Sequence, residues 1–297
     1  MRISNNVQAL KAYRNLSANQ MNVKTTMDKL SSGQKINRGA DDAAGLAISE
    51  KMRNRLKALD KAEQNVLDGI SMVQTVEGGL SETHNLLQRM RELAVQAGND
   101  TLATGDRTAI QEEINQLTNE VSRIAETTQF NGKKLLTGGF STEDNAVFIQ
   151  TNAGANEGIA LTIDDMRALN IGISTTVKPN ADARALDYPS VNTTPEYALS
   201  VMTSSDADEA ISRYTQAIDT ISQQRAKLGA IQNRFEATSS VLSVSKENLT
   251  ASESRIRDTD MAREMMEYAK YNILNQSGMA MIAQANALPQ GVLQLLN

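Results

Sequence analysis

Cysteine and tryptophan are absent from this 297-residue chain, histidine occurs once, and aromatic residues make up only 3%. Without thiols there are no disulfides, no thiolate nucleophile and no thiolate metal site. A single histidine, His84, cannot build a His-rich metal centre or a zinc-protease motif. Four Phe and no Trp argue against a broad globular core and for long thin bundles, where each helix buries one stripe against two or three neighbours. The net charge of −5 argues against phosphate binding, so nucleic acid is not an expected partner. Residues 1–30 hold no apolar run of signal-peptide length, because Arg2, Lys11, Arg14, Lys24 and Lys29 interrupt it. That points to a cytoplasmic protein, or to one exported without an ordinary cleaved signal.

Chemical motifs are scarce too. A P-loop around Gly132 and Lys133 would need glycine at 127 and Ser or Thr at 134, where the chain has Thr127 and Lys134. Asp41 with Asp42, and Asp258 with Asp260, lack the further oxygen ligands of a calcium loop and read as helix caps. Glu112 and Glu113 are consecutive on a helix, so they point about 100° apart and cannot face each other as an acid/base pair. His84 flanks a helix seam and suits a surface hydrogen bond. No enzyme, cofactor or metal is expected.

What the chain has in abundance is helical periodicity. Ile3, Val7, Leu10, Tyr13, Leu16, Val23, Met27 and Leu30 mark a first helix, with Gln20 a polar gap, closed by Ser31, Ser32 and Gly33. A second helix follows Asp41 and Asp42 and runs to about Gly98, with the seam Leu59, Ala62, Val66, Gly69, Val73, Val76, Leu80, Thr83, Leu87, Met90 and Ala94. It is roughly 80 Å long at ~1.5 Å per residue, softened at Gly78 and Gly79. A third follows Gly105 and Asp106, with Ile110, Ile114, Leu117, Val121 and Ile124 on one side. Asn131-Gly132 signals a tight turn, and 147–149 with 159–163 read as a β-hairpin. Residues 171–205 hold three of the four prolines and read as a loop or small insert.

Helical order returns near Asp206, with a seam through Ile211, Tyr214, Ile218, Ile221, Leu228, Phe235, Leu242, Leu249 and Ile256 that includes positions 225 and 232. The last stretch, Tyr271 to Asn297, carries no charged side chain. Tyr271, Leu274, Gly278, Met281, Ala285, Leu288, Val292 and Leu295 alternate steps of three and four. Its eight Asn and Gln residues, Pro289 and Gly291 exclude a membrane span, so no membrane insertion is expected. A neutral helix with such a seam belongs inside protein, in an assembly of many copies.

Several stretches resemble bacterial flagellin: MRISNN at 1–6, LSSGQKIN at 30–37, DDAAGLAIS at 41–49, LQRMRELAVQ at 87–96, QFNG at 129–132, LGAIQNRF at 228–235, SRIRD at 254–258 and PQGVLQLL at 289–296. The resemblance covers about 1–165 and 206–297. It implies a mainly α fold, a long coiled-coil or helical-bundle rod made by pairing of the N- and C-terminal helices, with a small β-hairpin. Residues 1–42 and 256–297 would form the inner coiled coil. Residues 43–170 and 206–255 would form the outer helical core with the hairpin near 147–163, and 171–205 a short variable surface segment. Assembly would rest on Ile3, Val7, Leu10, Leu16, Val23, Met27, Leu30, Leu274, Met281, Leu288, Val292 and Leu295.

The resemblance also implies partners: further copies in a helical filament, an export chaperone, the filament cap and hook-junction proteins, and secretion through the flagellum's own export apparatus. It implies a contact patch for a host flagellin receptor at Gln88, Arg89, Leu93, Gln96 and Glu113, with Leu93 as the apolar anchor. The segment 28–49 resembles the stretch plants sense, but Ala40 stands where many sensed versions carry Lys. Rival readings are a hook–filament junction protein and an intracellular coiled-coil scaffold. A peptidase-bearing variant would need an insert for which this chain has no room.

Overall fold

The computed structural model of the chain describes residues 6–178, 186 and 195–295, with side chains as far as 287. Of the residues expected to drive assembly, Ile3 lies outside the described residues, and Leu288, Val292 and Leu295 lie beyond the described side chains. The fold is mainly α, with helices α1 (Val7–Ser32), α2 (Ala43–Ala97), α3 (Thr104–Thr127), α4 (Ser204–Arg257) and α5 (Met261–Leu295). Two compact units emerge: Met1–Lys57 with Ser245–Asn297, and Ala58–Val244.

The first unit is built on the pairing of α1 with α5. Helix α1 begins where the Asn6 side chain accepts a hydrogen bond from the Ala9 N–H at 3.1 Å. It ends at Gly33, whose φ of 69° closes the helix and lets its N–H reach the Lys29 carbonyl at 2.8 Å. At the start of α2, Asp42 Oδ1 accepts from the Gly45 N–H at 2.9 Å. Its neighbour Asp41 accepts instead from the backbone N–H groups of Asn37 and Arg38 and fixes the loop. Asp260 caps α5 through the N–H groups of Ala262 and Arg263. Of the aspartates read as caps, Asp42 and Asp260 cap helices, whereas Asp41 anchors the loop before α2.

The register of the pair is antiparallel and constant. Asn6 Nδ2 donates to the Ala285 carbonyl at 2.8 Å, Leu16 lies against Gly278, Lys29 faces Glu264 at 3.8 Å, and Gln34 bridges Asp258. A Cβ placed on Gly278 would lie 3.2 Å from Leu16 Cδ1, so glycine is what permits this approach. On α1 the side chains turned away from solvent are Ala9, Ala12, Leu16, Asn19, Val23, Thr26 and Leu30. On α5 they are Glu264, Tyr268, Tyr271, Asn275, Gly278, Ile282 and Ala285, with Asn272 beside them. Both sets step by three and four without a slip, a true heptad seam.

This corrects the expected stripes. Val7, Leu10, Tyr13 and Met27 on α1, and Leu274 and Met281 on α5, are exposed rather than in the seam. The inward stripe runs instead through their neighbours Ala9, Ala12, Thr26, Asn275 and Ile282, and the ~100° step between adjacent helix positions turns the expected residues outward.

In the second unit the expected α2 seam holds throughout, with every residue from Leu59 to Ala94 in that stripe buried. Helix α2 passes Gly78 and Gly79 without a break, and Gly79 has a packing reason. A Cβ there would come within 2.9 Å of Thr128 Oγ1 and 3.3 Å of Leu136 Cδ1. Helix α3 starts at Thr104, slightly before the expected point, with the Asp106 carboxylate accepting from the Ala103 N–H at 3.2 Å. Tyr214, Ile221, Leu228, Phe235 and Leu242 are buried on α4 as expected. Their alternating partners are Ala210, Ala217 and Gln224 rather than Ile211, Ile218 and Arg225, which are only half-buried.

Three antiparallel hairpins pack in this unit. Strands β1 (Gln129–Phe130) and β2 (Lys133–Lys134) are joined by Asn131 and Gly132, with φ of 48° and 77°, the two positive values a tight two-residue turn requires. Strands β3 (Val147–Gln150) and β4 (Gly158–Leu161) form the expected hairpin, pairing Val147 with Leu161 and Gln150 with Gly158. Strands β5 (Ser174–Thr175) and β6 (Tyr197–Ala198) pair within the segment read as a loop, and Ile171, Ile173, Leu199 and Val201 beside them are buried.

Candidate assembly surface

Apart from Ile48 on α2, the exposed large apolar side chains described in the first unit lie on the faces the α1–α5 seam leaves outward. On α1 these are Val7, Leu10, Tyr13, Met21 and Met27; on α5 they are Met261, Met265, Met266, Ile273, Leu274, Met279 and Met281. Tyr13 is 64% exposed and Ile273 65%, whereas Leu16, one turn from Tyr13, is 9% exposed. Only Leu16 and Ile36 are buried hydrophobic residues among those described in this unit. More large apolar groups therefore face outward than inward. That is the signature of a surface waiting for protein neighbours.

Where α4 gives way to α5, charged groups pair. Arg257 Nη1 donates to Glu50 Oε1 at 2.6 Å, and Arg53 lies 3.5 Å from Glu50 and 3.9 Å from Glu253. The Arg257 hydrogen bond holds the Glu50 carboxyl below the usual carboxylate range. Asp41 is lowered as well, chiefly by the backbone N–H groups of Arg38 and Asn37.

The residues singled out for receptor contact sit on the second unit. Gln88, Arg89, Gln96 and Glu113 are exposed. Arg89 donates from Nε and Nη2 to Glu113 Oε1 at 3.0 and 2.9 Å, joining α2 to α3, and this bond raises the arginine pKa. Gln88 pairs with His84 at 2.9 Å, the surface hydrogen bond expected of that histidine. Leu93 is different. Expected as the apolar anchor of the patch, it is 2% exposed and belongs to the core. Leu87, Met90, Leu93, Ala94 and Ala97 are all buried, an arc wider than a two-position seam, as a helix with more than one neighbour requires. The exposed apolar side chain on this stretch is Val95.

The described residues contain no group of three or more His, Asp or Glu able to hold a metal ion, and no helix among them is long and apolar enough to cross a membrane. The hollows near the hairpins are shallow. One of about 330 Å³ runs past Asn65, Gly69, Phe130 and Phe148, and another of about 360 Å³ past Thr175, Leu199, Asp206 and Arg213.

Paired terminal helices with an apolar outer face, joined to a helical unit with small hairpins, define a structural subunit of a polymer. Comparison with known proteins fixes the family. The bacterial flagellin N-terminal helical region matches residues 3–141, and the bacterial flagellin C-terminal helical region matches 211–296. A flagellin of Bacillus subtilis (strain 168) is 49% identical over the whole of both chains, and one of Halalkalibacterium halodurans is 45% identical, again over the whole of both. A solved flagellar hook-associated protein of Vibrio parahaemolyticus shares the fold alone, with a TM-score of 0.55 and 12% identity over 73% of this chain and 100% of that one. The chain belongs to the bacterial flagellin family. It is a structural subunit of the flagellar filament, and the full-length flagellin matches favour this over a junction protein or an intracellular scaffold.

Proposed function

We propose that the outward faces of α1 and α5 are the surfaces through which copies of this chain stack into the filament. The observation that carries this reading is the division of labour on the two helices: one stripe of each is used inside the chain, and large apolar groups are left exposed around it. Covering such groups contributes about 25 cal/mol per Å² of apolar surface. A contact that repeats head to tail without closing gives an open helical polymer. In this reading 1–42 and 256–297 form the inner layer and 43–170 and 206–255 the outer layer.

The test is electron microscopy of the purified chain with short filament seeds, beside Leu10→Ser/Ile273→Ser and a version lacking 1–30 and 271–297. The full chain is expected to form filaments, the outward double variant to keep its helicity and fail to extend seeds, and the truncated version to stay unassembled. Filaments from the double variant would overturn the assignment of these faces.

Secretion through the flagellar export apparatus, a chaperone that shields the outward face of α5 before export, and contacts with cap and hook-junction proteins fit the same reading. An uncovered apolar helix needs shielding in a crowded cell. Host receptor recognition is the second reading. It is supported by the exposed Arg89–Glu113 pair with Gln88 and Gln96 alongside. Because Leu93 is in the core, the informative variant is Gln88→Ala/Arg89→Ala with Leu93 retained. It should weaken reporter-cell signalling by monomer while leaving thermal unfolding unchanged. Equal signalling removes the patch from consideration.

A further inference from the structure

We propose that the outward methionines of α1 and α5 are an oxidation-sensitive surface, and that conversion to sulfoxides by a peroxide holds the chain in its unassembled form. This rests on the assembly reading above. Of thirteen methionines, Met72, Met90 and Met166 are buried in the second unit. Met21, Met27, Met261, Met265, Met266, Met279 and Met281 are exposed, and all seven belong to the paired ends. The chain has no cysteine, so an oxidant that attacks sulfur meets thioethers alone.

The placement decides the consequence. All seven side chains are turned outward and leave the α1–α5 seam to other residues, so their oxidation does not break the pairing within the chain. In the step itself, a thioether sulfur lone pair takes one oxygen atom from hydrogen peroxide. An S–O bond forms, the O–O bond breaks, the sulfur is oxidised by two electrons and the peroxide leaves as water. The product replaces a flexible apolar group with a polar, chiral acceptor. Buried against a neighbouring copy without a donor, each sulfoxide opposes assembly. In the filament the same sulfurs are covered, so the polymer is protected where the monomer is vulnerable.

The experiment exposes monomer and finished filament separately to hydrogen peroxide, maps oxygen gain by peptide mass spectrometry, and measures seeded extension by sedimentation. Expected are oxidation of the seven outward methionines in monomer and little in filament, unchanged helicity, and a critical concentration raised ~10-fold or more. Treatment with both methionine sulfoxide reductases should restore extension. Equal extension by oxidised and untreated monomer overturns the proposal, as does failure of the reductases to restore it. Untreated monomer that does not extend seeds would instead overturn the assembly reading.

Discussion

Phe235 lies over Gly69 in the second unit: a Cβ on that glycine would be 3.3 Å from the phenylalanine ring and 2.7 Å from Ile149 Cδ1. The ring is fully buried, so Phe235→Ala should cost ~3–5 kcal/mol, seen as an earlier midpoint in denaturant. The aromatic was legible as core because it falls on the α4 heptad. Its glycine partner was legible only as a seam position, since a missing side chain says nothing about what fills the space. Leu93 shows the opposite error. Its apolar character was visible, but its direction depends on how many neighbours α2 has, which spacing on one helix does not reveal. Two carboxylates give a pH prediction. Asp41 and Glu50 have folded pKa values below their unfolded ones. Their stabilisation is therefore complete above the unfolded value and is lost as pH falls through the folded one. Helicity of the paired ends should decline below about pH 4, and Asp41→Asn with Glu50→Gln should flatten that decline in far-UV circular dichroism.

At the scale of elements, helix existence and ends were readable because their signals are local. Gly33, Asp42, Asp260 and the Asn131–Gly132 turn each act within a few residues of chain. Gly33→Ala should accordingly cost ~1–2 kcal/mol through its left-handed backbone, measured as a lowered thermal midpoint of the paired ends. Seam position was less legible. On α1, α4 and α5 the expected stripe coincides with the inward one at Leu16, Tyr214 and Tyr271, but at other turns it picks an apolar residue adjacent to the position the structure uses. Ala12, Ala217 and Asn275 face inward while Tyr13 is exposed, Ile218 is half-buried and Leu274 is exposed. Sequence hydrophobicity weighs every contact alike, whereas a polymer subunit has contacts inside the chain and contacts with its copies. The β5–β6 pairing was illegible for another reason: two-residue strands carry no periodicity to read.

For the whole molecule, the two units differ in what holds them. The second contains Tyr214, Phe235, Leu80, Leu87, Met90 and most of the other buried hydrophobic residues, while the first has Leu16 and Ile36 among its described residues. Stability should be distributed accordingly. In unassembled chain the amide hydrogens of α1 and α5 should exchange at least ~10-fold faster than those of α2 between Leu59 and Ala94, and in filaments the difference should shrink. Hydrogen–deuterium exchange read by mass spectrometry on both states checks this, and equal protection in the free chain would contradict it. The antiparallel pairing of Ser174 with Ala198 and Thr175 with Tyr197 has a different use. Paired strands hold opposing Cα atoms ~5 Å apart, so Thr175 and Tyr197 lie at neighbouring points of the body. A cargo domain whose own ends lie close together can be spliced there without stretching either strand, turning each subunit into one regularly spaced site of a display scaffold.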